Sequence, residues 1–181
     1  MTGIKKSLEL EKEILNLREE IRDLLIETYY KEGGRPELTS FMFINNEGLS
    51  FPYSPITEGI PLPSDLKKAI DIVDRDVQKE FERLRFIIEV DDLLKQGNKS
   101  QLEQAILKEL TENGLCNIQL VAQELMSEGR EEDVKMMMSF LPFDFDYNQF
   151  LDCLNYTIGI VGKMLDIITI LNFIYKYLKK K

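Results

Sequence analysis

The chain has no histidine and no tryptophan, and only two cysteines and three alanines in 181 residues. Each shortage excludes something. Without histidine there is no ordinary general base near neutrality, no Ser-His or Cys-His nucleophile pair, and no means of building most zinc sites. Cys116 and Cys153 form no CxxC pair and read as two thiols in a reducing compartment rather than as a disulfide framework. No Walker loop, GxGxxG or GxSxG is present, and Gly33 and Gly34 are not followed by the Lys-Ser or Lys-Thr of a phosphate cradle. The opening residues, MTGIKKSLELEKE, turn charged at once, so no secretory signal is expected. These absences predict a cytoplasmic protein that is not an enzyme and takes no cofactor or metal.

Charge of one sign dominates what is there. Against 23 basic side chains stand 32 acidic ones, a net of −9, which repels phosphates and argues against nucleic acid as a partner. The imbalance is uneven. Residues 146–181 hold 5 basic and 3 acidic side chains and form the net-basic end of the chain. Sixteen lysines against 7 arginines, with 19 isoleucines, is the usage of an AT-rich coding sequence such as a low-GC bacterium or its phage carries.

Between Ser7 and Lys31 there is neither proline nor glycine, and Leu10, Ile14, Leu17, Ile21 and Leu24 recur in alternating steps of four and three. This is a heptad seam with isoleucine at a and leucine at d, the combination that favours a parallel two-stranded coiled coil. In this register Glu13, Glu20 and Glu27 fall at g and Arg18 at e, so that Arg18 would face Glu13 of a mate. The same stripe would also serve an amphipathic helix packed inside its own monomer, where Leu8, Leu15 and Leu25 would find cover.

Five of the six prolines fall between positions 36 and 63. Phe41 to Ile44 and Leu49 to Phe51 flank Asn45-Asn46-Glu47-Gly48, which predicts a small β-hairpin. Pro52, Pro55, Pro61 and Pro63 then hold the chain extended as a strap over the helices. Phe51, Tyr53, Ile56, Ile60 and Leu62 put apolar groups on this strap. They are a candidate partner surface, or else the pins that fix a loop to its own core.

A helix is predicted from an N-cap at Ser64 to about Gly97, with Leu66, Ile70, Val73, Val77, Phe81, Leu84 and Ile88 marking its apolar face. Three shorter helices follow near 99–112, 115–128 and 131–140, closed by Asn113-Gly114 and Glu128-Gly129. The last helix starts near Asp146 or Tyr147, breaks around Gly159 and runs to Leu178. Most of its apolar residues share one half, and Ile158, Ile170, Phe173 and Tyr177 are the exceptions on the other. Lys163 and Asp166 interrupt it well short of the roughly 20 apolar residues that cross a bilayer. Core packing is favoured for it over contact with another copy or with a membrane surface, although Lys179, Lys180 and Lys181 would suit anionic lipid.

Two carboxylate patterns resemble parts of metal sites. Asp144, Asp146, Asn148 and Asp152 occupy positions one, three, five and nine of a calcium loop, but Gln149 stands where glycine is needed and Asn155 where a closing glutamate is needed. A helix cap at Asp144 or Asp146 explains the same residues. Glu19, Glu20 and Asp23 resemble one half of a two-helix acidic site, and a second half is missing. Met136, Met137 and Met138 read as core.

The sequence therefore predicts a mainly α fold. It would be a multi-helix bundle with a coiled-coil-like helix over 1–32, a hairpin and strap over 33–63 and a helical bundle over 64–181, in one domain. The expected function is that of a self-associating adaptor, regulator or assembly protein that binds another protein. The alternatives are an acidic inhibitor that mimics nucleic acid against a basic partner, and a metal-dependent carboxylate hydrolase.

Overall fold

The computed structural model describes residues 2–29, 44–45, 48–49, 55–144, 146–154 and 159–180, and these are mainly helical. Among the described residues seven helices run in the order α1 (Thr2–Tyr29), α2 (Ser64–Gln96), α3 (Lys99–Asn113), α4 (Cys116–Ser127), α5 (Glu131–Ser139), α6 (Tyr147–Leu154) and α7 (Ile160–Lys179). The long N-terminal helix has the position its uninterrupted heptad pattern requires. The hairpin expected from 41 to 51 falls largely outside the described residues. Only a ladder of two residues on each side, Ile44–Asn45 against Gly48–Leu49, is described there, and that is too short to be the predicted hairpin.

The chain divides into two compact units. One comprises Met1–Ser7 and Arg83–Gly162, the other Leu8–Glu82 and Lys163–Lys181. The division falls within α1, α2 and α7 rather than in linkers.

In the first unit α4 is the hub, because it packs against α3, α5 and α6. Its sequence gives the reason. Ile118, Leu120, Val121, Ala122 and Leu125 are all buried, so apolar groups face more than one neighbour. Tight turns separate the short helices. Gly114 and Gly129 both have φ 73°, and a Cβ at either would meet nothing within 4 Å, so it is backbone conformation rather than space that calls for glycine. Asn98 caps α3, its side-chain oxygen accepting from the Gln101 N–H at 3.2 Å. The stretch that resembled a calcium loop is a cap as well. Asp146 Oδ1 accepts from the backbone N–H groups of Asn148 at 3.0 Å and Gln149 at 3.2 Å and so starts α6. The α2 helix begins at Ser64 itself, the residue expected to cap it, since the Pro63 carbonyl already accepts from the Lys67 N–H at 3.0 Å.

Arg130 closes the α4–α5 turn by electrostatics. Its guanidinium donates to Asp91 on α2 at 2.6 Å and to Asp133 on α5 at 2.7 Å, and Lys95 reaches Asp91 from its other side at 2.9 Å. Burial alone would raise the Asp91 pKa, but the hydrogen bonds from Arg130 and Lys95 outweigh it and hold the carboxyl below its ordinary value. Glu124 on α4 is the opposite case. Burial and then the neighbouring Glu128 carboxylate push its pKa up, and Gly3 lies against its side chain.

Two tests follow from this unit. Leu125→Ala should cost about 2–5 kcal/mol in urea denaturation, the usual result of emptying a closed apolar site, whereas Ile72→Ala at an exposed α2 position should stay within about 0.5 kcal/mol. Because the fold favours protonated Glu124, its carboxylate is a burden above its raised pKa, and the burden lifts as pH falls through the ordinary carboxylate range. Glu124→Gln should accordingly raise Tm by roughly 1–3 °C at neutral pH and bring no gain below about pH 4.

Candidate functional site

The second unit contains a charged cluster that the sequence pattern does not announce. Asp74 lies on the apolar face of α2, between Ile70 and Val77, and Arg18 lies on that of α1, between Ile14 and Ile21. All six side chains are buried. Two opposite charges at such positions are tolerable only if they meet. They do. Arg18 Nε donates to Asp74 Oδ1 at 2.7 Å and Arg18 Nη2 donates to Oδ2 at 3.2 Å, the two-pronged fit that a planar guanidinium makes with a carboxylate.

The pair also fastens the strap. The Ile56 backbone N–H donates to Asp74 Oδ2 at 2.7 Å, and its carbonyl accepts from Arg22 Nη1 at 2.7 Å. Both polar groups of one strap peptide segment are thus satisfied by buried side chains from two different helices, which a proline-rich segment cannot arrange through strand pairing. Burial pulls the Arg22 pKa down, with Glu58 opposing and the nearby Arg18 adding to the effect. One residue on, the Thr57 hydroxyl donates to Asp71 Oδ1 at 2.6 Å, while Lys67 holds Asp71 Oδ2 at 2.7 Å. Burial alone would raise the Asp71 pKa, but the hydrogen bonds from Lys67 and Thr57 outweigh it and hold the carboxyl below its ordinary value. Protonation of Asp71 in acid therefore removes stability that is fully present above the ordinary carboxylate range.

A cavity of about 670 Å³ opens between the strap and α2, with Thr57, Glu58, Ile60, Lys67, Asp71 and Arg75 among its walls. Its chemistry is subdued. Of the three carboxylates on its walls, Glu58, Asp71 and Asp74, the last two are each engaged by a cation and a further donor, so neither of these stands as an idle base. Among the described residues no group of three or more His, Cys, Asp or Glu side chains is placed to hold a metal ion.

The residues singled out by sequence fare differently from one another. Leu10, Ile14, Leu17 and Ile21 are buried within the chain, and Leu24 is half-buried. The heptad stripe is thus covered without a second copy. Arg18, read as an e position facing a mate, is instead fully buried against Asp74. Ile56 and Ile60 turn into the core and Leu62 is half-buried, while Phe51 and Tyr53 lie outside the described residues. Met137 and Met138 are buried.

The apolar side chains that do face outward in this unit are concentrated on α7. Phe173 is 73% exposed, Leu165 and Tyr177 46% each and Ile170 44%, while Met164, Ile167, Ile168, Leu171 and Leu178 on the opposite side are buried. Ile170, Phe173 and Tyr177, exceptions on the wheel of the last helix, are thus exposed, as is Leu165 from its apolar half, while Ile158 lies outside the described residues. Near its end Lys179 stands 5.2 Å from the centre of the Tyr175 ring. Its pKa is raised by its hydrogen bond with Tyr175, with help from the field of Glu20 and Glu27 on α1. No described helix is long and apolar enough to cross a membrane.

The fold and this cluster define a class only: a mainly helical protein whose irregular strap is fixed by a buried ion pair. No family model, curated protein or solved structure matches the chain.

The ion pair yields a test. Asp74→Ala strands a buried guanidinium and the Ile56 N–H of the strap and should cost about 3–5 kcal/mol in chemical denaturation. The double change Arg18→Met with Asp74→Leu removes both charges and should recover most of that loss, because an apolar pair of similar volume needs no desolvated ions. Limited proteolysis near Ile56 should stay enhanced in the double variant, since the strap N–H has still lost its acceptor.

Proposed function

We propose that the protein is a non-enzymatic helical assembly protein, an adaptor or regulator, that works by self-association, and that its contact surface is the outer face of α7. The observation that carries this reading is Phe173. A phenylalanine 73% exposed, with Ile170 and Tyr177 one helical turn to either side, leaves a large apolar area in water on a helix whose other face is fully used. Covering one such side chain is worth on the order of 1.5–3 kcal/mol, and aromatic groups of this kind are the usual anchors of interfaces. The surrounding residues support the same reading. The α1 stripe and the inward strap residues are occupied by the chain's own core, which leaves α7 as the better candidate for a second copy. It also belongs to the net-basic end of an acidic chain, where repulsion between two copies is weakest.

Sedimentation velocity at tens of micromolar tests this. The wild-type protein is expected to sediment as an oligomer and Phe173→Asp as a monomer with an unchanged circular dichroism spectrum. Ile14→Asp should instead lose helicity, because it places a charge in the monomer core. A wild-type protein that is monomeric throughout that range would sink the reading.

A further inference from the structure

Resting on self-association through α7, we propose that two copies pair their α7 helices antiparallel about a two-fold axis at Phe173, with Asp166 of each copy against Lys180 of the other. The outward face of α7 carries Asp166, Ile170, Phe173 and Tyr177, and Lys180, the residue directly after the helix, continues the spacing of four, three, four and three; all five are exposed. That spacing keeps them within one stripe of a helix and matches the seam of a two-stranded coil. The stripe spans about 21 Å along the axis at the rise of an α-helix.

Its charges are arranged end to end. One acidic residue stands at the N-terminal end, one basic residue at the C-terminal end, and three apolar groups lie between. A two-fold axis maps a stripe onto itself in reverse, so the residue seven before the centre meets the residue seven after it. With Phe173 at the centre, Asp166 meets Lys180, Ile170 lies beside Tyr177, and the two phenylalanine rings meet at the axis. Both ion pairs form at once by symmetry. A parallel pairing in register sets Asp166 against Asp166 and Lys180 against Lys180, which is repulsive at both ends. The opposed helix dipoles also favour the antiparallel arrangement. Lys179 is not needed for the seam, since its ammonium lies over the Tyr175 ring, 5.2 Å from its centre.

Charge exchange on the full-length protein tests the register. Asp166→Lys alone and Lys180→Asp alone should each weaken dimerisation by at least about fivefold, because each converts two attractive contacts into two repulsive ones, and the double exchange should return to within about twofold of wild type. All three variants should keep the wild-type circular dichroism spectrum, since both positions are exposed. In a second measurement, with Cys116 and Cys153 replaced by serine, Asp166→Cys protein mixed with Lys180→Cys protein should form a mixed disulfide, and Asp166→Cys alone should not. A dimer that persists with no rescue by the double exchange, or that links Asp166→Cys to itself, overturns the antiparallel register and leaves the assembly reading standing. A wild-type protein that stays monomeric removes both.

Discussion

Asp74 sets a carboxyl group among apolar side chains with almost no exposed surface, and the arrangement of the second unit follows from how its hydrogen-bonding needs are met. A buried carboxyl group in an apolar stripe needs several donors, and other elements supply them. Arg18 supplies two N–H groups from α1 and the strap supplies a third from Ile56. One side chain therefore ties α1, α2 and the strap together. Arg22 adds the complementary contact to the Ile56 carbonyl, so the strap peptide is held at both its polar groups. Such a pair contributes little net stability compared with an apolar pair of equal volume. What it supplies is position, because alternative packings of α1 on α2 would leave a buried charge unmatched.

This constraint also explains why the apolar stripe of α1 is not at the surface. With Arg18 drawn fully into the interior, Ile14, Leu15, Ile21 and Leu25 are carried in with it. The parallel coiled coil that the heptad suggests would have to compete with a core that is already closed. The first unit meets its own polar requirements at helix ends instead, through Asn98, Asp146 and Arg130, and its interior is left to α4.

The division of labour between α1 and α7 is then a matter of which apolar stripe has a partner. Both helices carry apolar residues in steps of three and four. On α1 the buried face is interrupted by Arg18, whose charge has its mate in Asp74 of the same chain. On α7 the buried face is broad and apolar, while the outer face adds Ile170, Phe173 and Tyr177 between charges of opposite sign.

Much of the local structure was legible in the residues themselves. The long N-terminal helix, the helix ends at Asn113 and Ser127, the cap at Asp146 and the buried half of α7 all follow from periodicity, glycine and short-range hydrogen bonding, which act over a few residues. The three misplaced residues on the wheel of the last helix were visible too, and they proved to be its outer apolar face. Long-range choices were not legible. A heptad reads the same whether its mate is another copy or the chain's own α2, and only tertiary packing decides between them. The signal overlooked was Asp74, which continues the spacing of Ile70, Val77 and Phe81 as a charge among apolar groups. Its partner lies 56 residues away on α1, and no local pattern connects the two. The sequence by itself determined the helices and their faces, because those depend on neighbours a turn apart. The tertiary structure decided which faces were spent inside and which remained open, because a buried charge can be satisfied only by a group brought to it in space.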